Sequence, residues 1–162
     1  MLRFTGRTVI GMFTKHSVHI EQPVVACTEA LMGGPPKWFL DLDGKKTAKV
    51  GLHLAGIPVR KTVELELGEP IRTTTWTVIP LSWKATFPQK LFPMMTGKIE
   101  IAPVDKNVTR LTVSGMYEAP LGHLGRQLDQ AFMHKVAHAT VQELAESIAE
   151  RLHDWATSPQ RG

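Results

Sequence analysis

The chain reads as an α+β fold: a curved antiparallel sheet of about six to seven strands around one long C-terminal helix, with two short helices after the first strand. Two observations lead there. Between Lys46 and Pro120, apolar and polar residues alternate in one short segment after another, separated by turn residues. Period-two alternation with short links is the pattern of an antiparallel meander with one buried face. After Pro120 the period changes, and Leu124, Leu128, Phe132, Val136, Thr140, Leu144, Ile148 and Leu152 recur every fourth residue. Such a ridge drifts about 40° per step around a helix, so the buried side must rotate along its length, as a twisted sheet wrapped around the helix requires.

The elements follow in order. His16, Val18 and Ile20 alternate with Ser17, His19 and Glu21 as a first strand, extended toward Thr8–Phe13. Pro23 opens a short helix through Val24, Val25, Leu31 and Met32, which Gly33-Gly34-Pro35-Pro36 stops. Lys37–Leu42 is a second short helical segment, and Asp43-Gly44 a turn. Strands are then expected at Val50–Leu54, Val63–Leu67, Ile71–Ile79, Leu81–Phe87, Gly97–Ile101 and Leu111–Tyr117, with turns at Gly68-Glu69-Pro70 and Asp105–Asn107. A length of 162 residues suits one domain, taken as residues 1–156 with a polar tail at 157–162.

Composition excludes several classes. Hydrophobic residues make up 43% and charged residues 21%, which are globular values. No stretch approaches the roughly 20 apolar residues of a membrane span, and the N-terminus lacks the features of a secretory signal. The formal charge is +4, but the basic residues are scattered and accompany no aromatic nucleic-acid motif, so nucleic acid is not an expected partner. Cys27 is the only cysteine, so no internal disulfide is possible, which suits a cytoplasmic location. Within the apolar stretch Val24–Leu31 it reads as a small buried hydrophobe rather than a nucleophile. Ser82 and Ser114 fall on the outward phase of their strands, and no nucleophile elbow exists. His134 and His138 have the i, i+4 spacing of a chelating pair. Lys135 stands where a zincin motif has glutamate, and no third ligand is evident, so no metal is expected. No cofactor motif is present either. Gly122 and Gly125 follow no βαβ unit and read as allowing close approach of helix and sheet.

The segments Leu81-Ser82-Trp83-Lys84-Ala85, Leu91-Phe92-Pro93, Gly115 through Gly122, and Gly125 through Asp129 resemble bacterial members of the START/polyketide-cyclase-like (SRPBCC) superfamily, which also holds the birch-pollen allergen type. The resemblance covers most of the chain and weakens before about residue 48. It implies a helix-grip fold, and a superfamily that spans carriers, cyclases and regulators. A curved sheet gripping one helix leaves volume between them, and Leu81, Trp83, Phe92, Tyr117, Phe132 and Met133 are the large residues expected to face it. Asp129 lies about 60° from Phe132 and 40° from Met133 on the helical wheel, so its carboxylate is expected to be paired or to hold its proton more tightly. It either caps backbone amides or pairs with Arg126, or it serves a ligand. Tyr117 ends the last strand near the helix start, where its hydroxyl could meet Asp129. The expected function is binding of a hydrophobic small molecule (a lipid, polyketide or isoprenoid) as carrier or sensor, by a monomer or a homodimer. The alternative is a cyclase, aromatase or dehydratase using Tyr117 and Asp129 as acid and base.

Overall fold

A computed structural model describes residues 11–33, 47–54, 57–85, 95–118 and 130–157. Strand β1 spans Gly11–Ile20, helix α1 Val24–Gly33, β2 Thr47–Leu54, β3 Ile57–Leu67, β4 Ile71–Arg72, β5 Thr77–Ala85, β6 Met95–Asp105, β7 Val108–Glu118, and helix α2 Gln130–Thr157. The strands form one antiparallel sheet in the order β1-β7-β6-β5-β3-β2, with β4 also paired to β5. The curved sheet and the long helix make the expected helix grip. Of the two short helices, α1 is present and ends at Gly33, while the segment 37–42 lies outside the described residues, as does the tail beyond Thr157.

The inner face of the sheet, the one covered by α2, is built of rungs that run across the strands in register. One rung is Met12, Tyr117, Met95, Trp83 and Leu65. The next is Thr14, Gly115, Gly97, Leu81 and Leu67. Below it come His16, Val113, Ile99 and Ile79, then Val18, Leu111, Ile101 and Thr77. Side chains two apart on a strand share a face, so each rung stacks on the next. The two glycines are paired with each other, and neither has room for a side chain. A Cβ on Gly97 would run into the carbonyl oxygen of Ser114. One on Gly115 would lie 2.9 Å from Cη2 of Trp83 and 3.0 Å from Cε of Met95. The indole of Trp83 thus reaches across β6 to rest on β7. On the outer face Ser114 is nonetheless buried, in register between Lys15 and Lys98.

Helix α2 buries two adjacent ridges: Val136, Thr140, Leu144, Ile148 and Leu152, and beside them Ala137, Val141, Ala145 and Ala149. The first is the ridge read from the sequence. The alanines of the second let the helix approach the sheet closely. Thr140, the polar member, donates its hydroxyl to the Val136 carbonyl one turn earlier (2.7 Å), which satisfies it without a partner outside the helix. Helix α1 packs against α2 and reaches β6 and β7. Thr109 ties down the corner before α1 by donating its hydroxyl to the Gln22 carbonyl (2.7 Å).

The region from 68 to 85 departs from the expected strands. Ile71–Ile79 is not one strand, and Pro80 does not separate two. The chain turns at Thr73–Trp76, and β5 runs unbroken through Pro80. Thr73 makes the turn without glycine: its N–H donates to the Trp76 carbonyl (2.9 Å), and its hydroxyl oxygen accepts the Trp76 N–H (3.1 Å). Pro80 is tolerated because its missing donor faces the gap between β3 and β4. There Gly68 N–H donates to the Pro80 carbonyl (2.8 Å), and Pro80 has no N–H to return the bond. The Asp105–Asn107 turn is as expected, with the Asp105 carboxylate accepting the Asn107 N–H (2.8 Å).

Two stability measurements check this account. Leu144→Ala should cost about 2–5 kcal/mol in chemical denaturation, and Glu150→Ala, on the exposed flank, less than about 0.5 kcal/mol. Gly115→Ala should cost about 1–3 kcal/mol, because the Trp83 ring and the Met95 methyl can shift. Gly97→Ala should cost more, because a main-chain oxygen blocks it; equal losses would contradict the described packing.

Candidate functional site

Three of the seven predicted site residues are described in full: Leu81, Trp83 and Tyr117. All three are buried, point to the inner face and belong to one apolar cluster. Trp83 and Tyr117 lie on the same rung, bridged by Met95, while Leu81 sits on the glycine rung beside them. Phe132 and Met133 fall in the first turn of α2, where the backbone alone is described. Phe92 and Asp129 lie outside the described residues.

The rung ends in polar chemistry that the sequence reading passed over. Tyr117 is fully buried, yet its hydroxyl donates to the thioether sulfur of Met12 (3.0 Å), a weak acceptor. The same oxygen lies 3.4 Å from Nδ1 of His134, at the outer limit of hydrogen bonding. Burial pushes the Tyr117 phenol up, so it is a neutral donor at neutral pH. Along α2, the rings of His134 and His138 stack with centroids 6.4 Å apart. Nδ1 of His138 is in hydrogen-bond contact with the buried hydroxyl of Thr14 at 2.9 Å. The His16 ring meets that of His138 edge-on at 6.3 Å, and its Nε2 lies 3.6 Å from the Glu146 carboxylate. Tyr117, His134, His138, His16 and Glu146 therefore form a column along the seam between β1 and α2. It starts at a buried phenol and passes to the exposed flank of the helix.

Each member has a sequence origin. Met12, Thr14 and His16 share the inward phase of β1, so two polar residues stand where the pattern calls for apolar ones. His134 and His138 lie one turn apart, on the flank of α2 that meets β1. Polar residues in the inward phase of an edge strand were the available signal. Their partner on a helix 124 residues away was not readable from spacing.

Among the described residues, no three histidine, cysteine, aspartate or glutamate side chains converge on a point suited to a cation. Surface grooves occur elsewhere. One of about 320 Å³ lies between α1 and the β4–β5 hairpin, lined in part by Val24, Glu29, Arg72 and Trp76. Cys27 is fully buried, and desolvation raises its thiol pKa, outweighing the hydrogen bond with Thr109. Thiolate is scarce in such a site at neutral pH. A thiol reagent at pH 8 should therefore label native protein at least about tenfold more slowly than unfolded protein. Equal rates would place Cys27 outside the core.

No protein-family model matches the sequence, and no curated protein is significantly similar to it. Solved structures do match in fold. A conserved protein from Geobacillus kaustophilus superposes with a TM-score of 0.52 at 16% identity, covering 88% of this chain and 96% of that one. A START superfamily protein from Mycobacterium smegmatis gives 0.52 at 15%, covering 88% and 97%. Ara h 8.0201 gives 0.51 at 13%, covering 92% and 99%. At these identities the similarity is one of fold: the chain has the START-like helix-grip architecture. No described helix is long and apolar enough to cross a membrane.

Proposed function

We propose that residues 1–156 act as one domain that binds a hydrophobic small molecule, of lipid, polyketide or isoprenoid type, between the sheet and α2, as a cytoplasmic carrier or sensor. The observation that carries this reading is the rung Met12, Tyr117, Met95, Trp83 and Leu65. It places five large side chains side by side on the gripped face, with Trp83 and Met95 packed over the glycine rung beside it. A wide apolar surface with a few convergent polar groups is what a small-molecule site needs, and the polar groups here are Tyr117, Thr14 and the two helix histidines. Phe92, Phe132, Met133 and Asp129 would complete it. The Tyr117 hydroxyl, whose described partners are the Met12 sulfur and Nδ1 of His134, serves this reading as a neutral hydrogen-bond donor.

The test is titration with Nile red, an uncharged apolar dye. One-to-one saturable binding is expected. Leu81→Trp should weaken it about tenfold by filling space on the gripped face, while Met116→Trp, on the exposed outer face, should leave it unchanged. Absence of saturable binding, or equal effects of the two substitutions, would count against the reading.

A further inference from the structure

We infer that His134 and His138 form a two-imidazole chelate for a late first-row divalent metal ion, Ni²⁺ or Cu²⁺, oriented by the hydroxyls of Tyr117 and Thr14. The i, i+4 spacing, read without a third ligand, predicts no metal. The structure adds what holds the two rings.

Tyr117 has one hydroxyl proton, and it goes to the Met12 sulfur at 3.0 Å. The phenol oxygen therefore meets Nδ1 of His134, 3.4 Å away, as an acceptor. That contact calls for a proton on Nδ1, and a neutral imidazole protonated there carries its lone pair on Nε2. The Thr14 hydroxyl, 2.9 Å from Nδ1 of His138, is placed to accept in the same way. Each helix histidine thus turns its Nδ1 toward a hydroxyl of the sheet, Tyr117 on β7 and Thr14 on β1. These contacts leave Nε2, across the ring, for a metal. Histidines that ligate metals are commonly held like this, by a partner on the second nitrogen that fixes the tautomer and the ring plane.

The two rings are a matched pair. They stand one turn apart on α2, with planes 25° apart and centroids separated by 6.4 Å. With Nδ1 on the sheet side in both, the two Nε2 atoms face the same way. Two nitrogens bound to one ion at roughly 2.0–2.1 Å lie about 3 Å from each other, so the rings must lean together at their outer ends. Pivoting about Nδ1 keeps both hydroxyl contacts. Both side chains are exposed, which gives the ion an entry path from solvent. The class of ion follows from the ligands: imidazole suits nickel, copper and zinc, whereas Mg²⁺ and Ca²⁺ take oxygen. His16, next along the column, turns its Nε2 to Glu146. With two protein nitrogens and water in the other positions, the site suits tetragonal Ni²⁺ or Cu²⁺ better than a closed tetrahedral zinc centre.

The experiment is calorimetric titration of the untagged protein with Ni²⁺ at pH 8, with Mg²⁺ as the oxygen-preferring control. One Ni²⁺ per chain is expected, and no Mg²⁺ at the same concentrations. His134→Gln and His138→Gln should each weaken Ni²⁺ binding at least about tenfold. His153→Gln, at an exposed position farther along the same helix, should leave it unchanged. Thr14→Val keeps the side-chain shape and both imidazoles, and should still weaken binding about tenfold, because loss of an orienting partner costs roughly 10–100-fold in metal affinity. Should Thr14→Val lose its fold by circular dichroism, Tyr117→Phe makes the same test at the other ring. Absence of saturable Ni²⁺ binding would overturn the inference. So would binding that survives His134→Gln or His138→Gln, which would assign the ion elsewhere among the seven histidines. Wild-type affinity in a folded Thr14→Val protein would overturn the part given to the sheet hydroxyls.

Discussion

The close approach of β6 and β7 at Gly97 and Gly115 is the constraint on which the rest of the packing depends. Two paired glycines leave the middle of the inner face without side chains, and the space is taken by the indole of Trp83 and the methyl of Met95. With Trp83 lying across β6, Tyr117 and Met95 are packed into the same layer. The neighbouring rungs of Val113, Ile99, Leu111 and Ile101 are then free to meet the ridges of α2. A methyl group at either glycine would push on backbone or ring, and a close-packed interior transmits that displacement rather than absorbing it.

The two halves of α2 do different work. From Val136 onward its buried side is aliphatic and alanine-rich, and it provides the stable core shared with α1 and the sheet. Nearer its start, the flank toward β1 carries His134 and His138, which face Thr14 and Tyr117 instead of more core. The contact of half-buried His16 with the exposed Glu146 carboxylate closes the column on the solvent side.

Much of this was legible from the sequence. Alternation placed Leu111, Val113, Gly115 and Tyr117 on one face, and the four-residue recurrence from Val136 to Leu152 identified the core ridge of α2, because both patterns are local and their periods differ. Other features depend on contacts that periodicity does not encode. The second ridge of alanines, Ala137 to Ala149, becomes visible only when the helix sits against its sheet. Pro80 reads as a strand breaker until β5 is seen to present that residue to a gap in its neighbour. Thr73 closes a tight turn with its own hydroxyl, in place of the glycine or asparagine that signals such turns in sequence. Of the site, the inward placement of Tyr117 was legible and its partners were not: Met12 joins it from the far end of the chain and His134 from α2.

The gap opposite Pro80 also bears on how the sheet moves. β5 is held on that side by two separate segments, Val63–Leu67 of β3 and Ile71–Arg72 of β4, with a single one-way hydrogen bond from Gly68 between them. Cooperative opening follows continuous ladders, and here the ladder is divided. The β4 hairpin can detach by breaking its two residue pairs and the Thr73–Trp76 turn, while β3 remains in place. Amide exchange at Ile71 and Arg72 should therefore outpace exchange in the core, and the groove that Arg72 and Trp76 line has the weaker pairing as one wall.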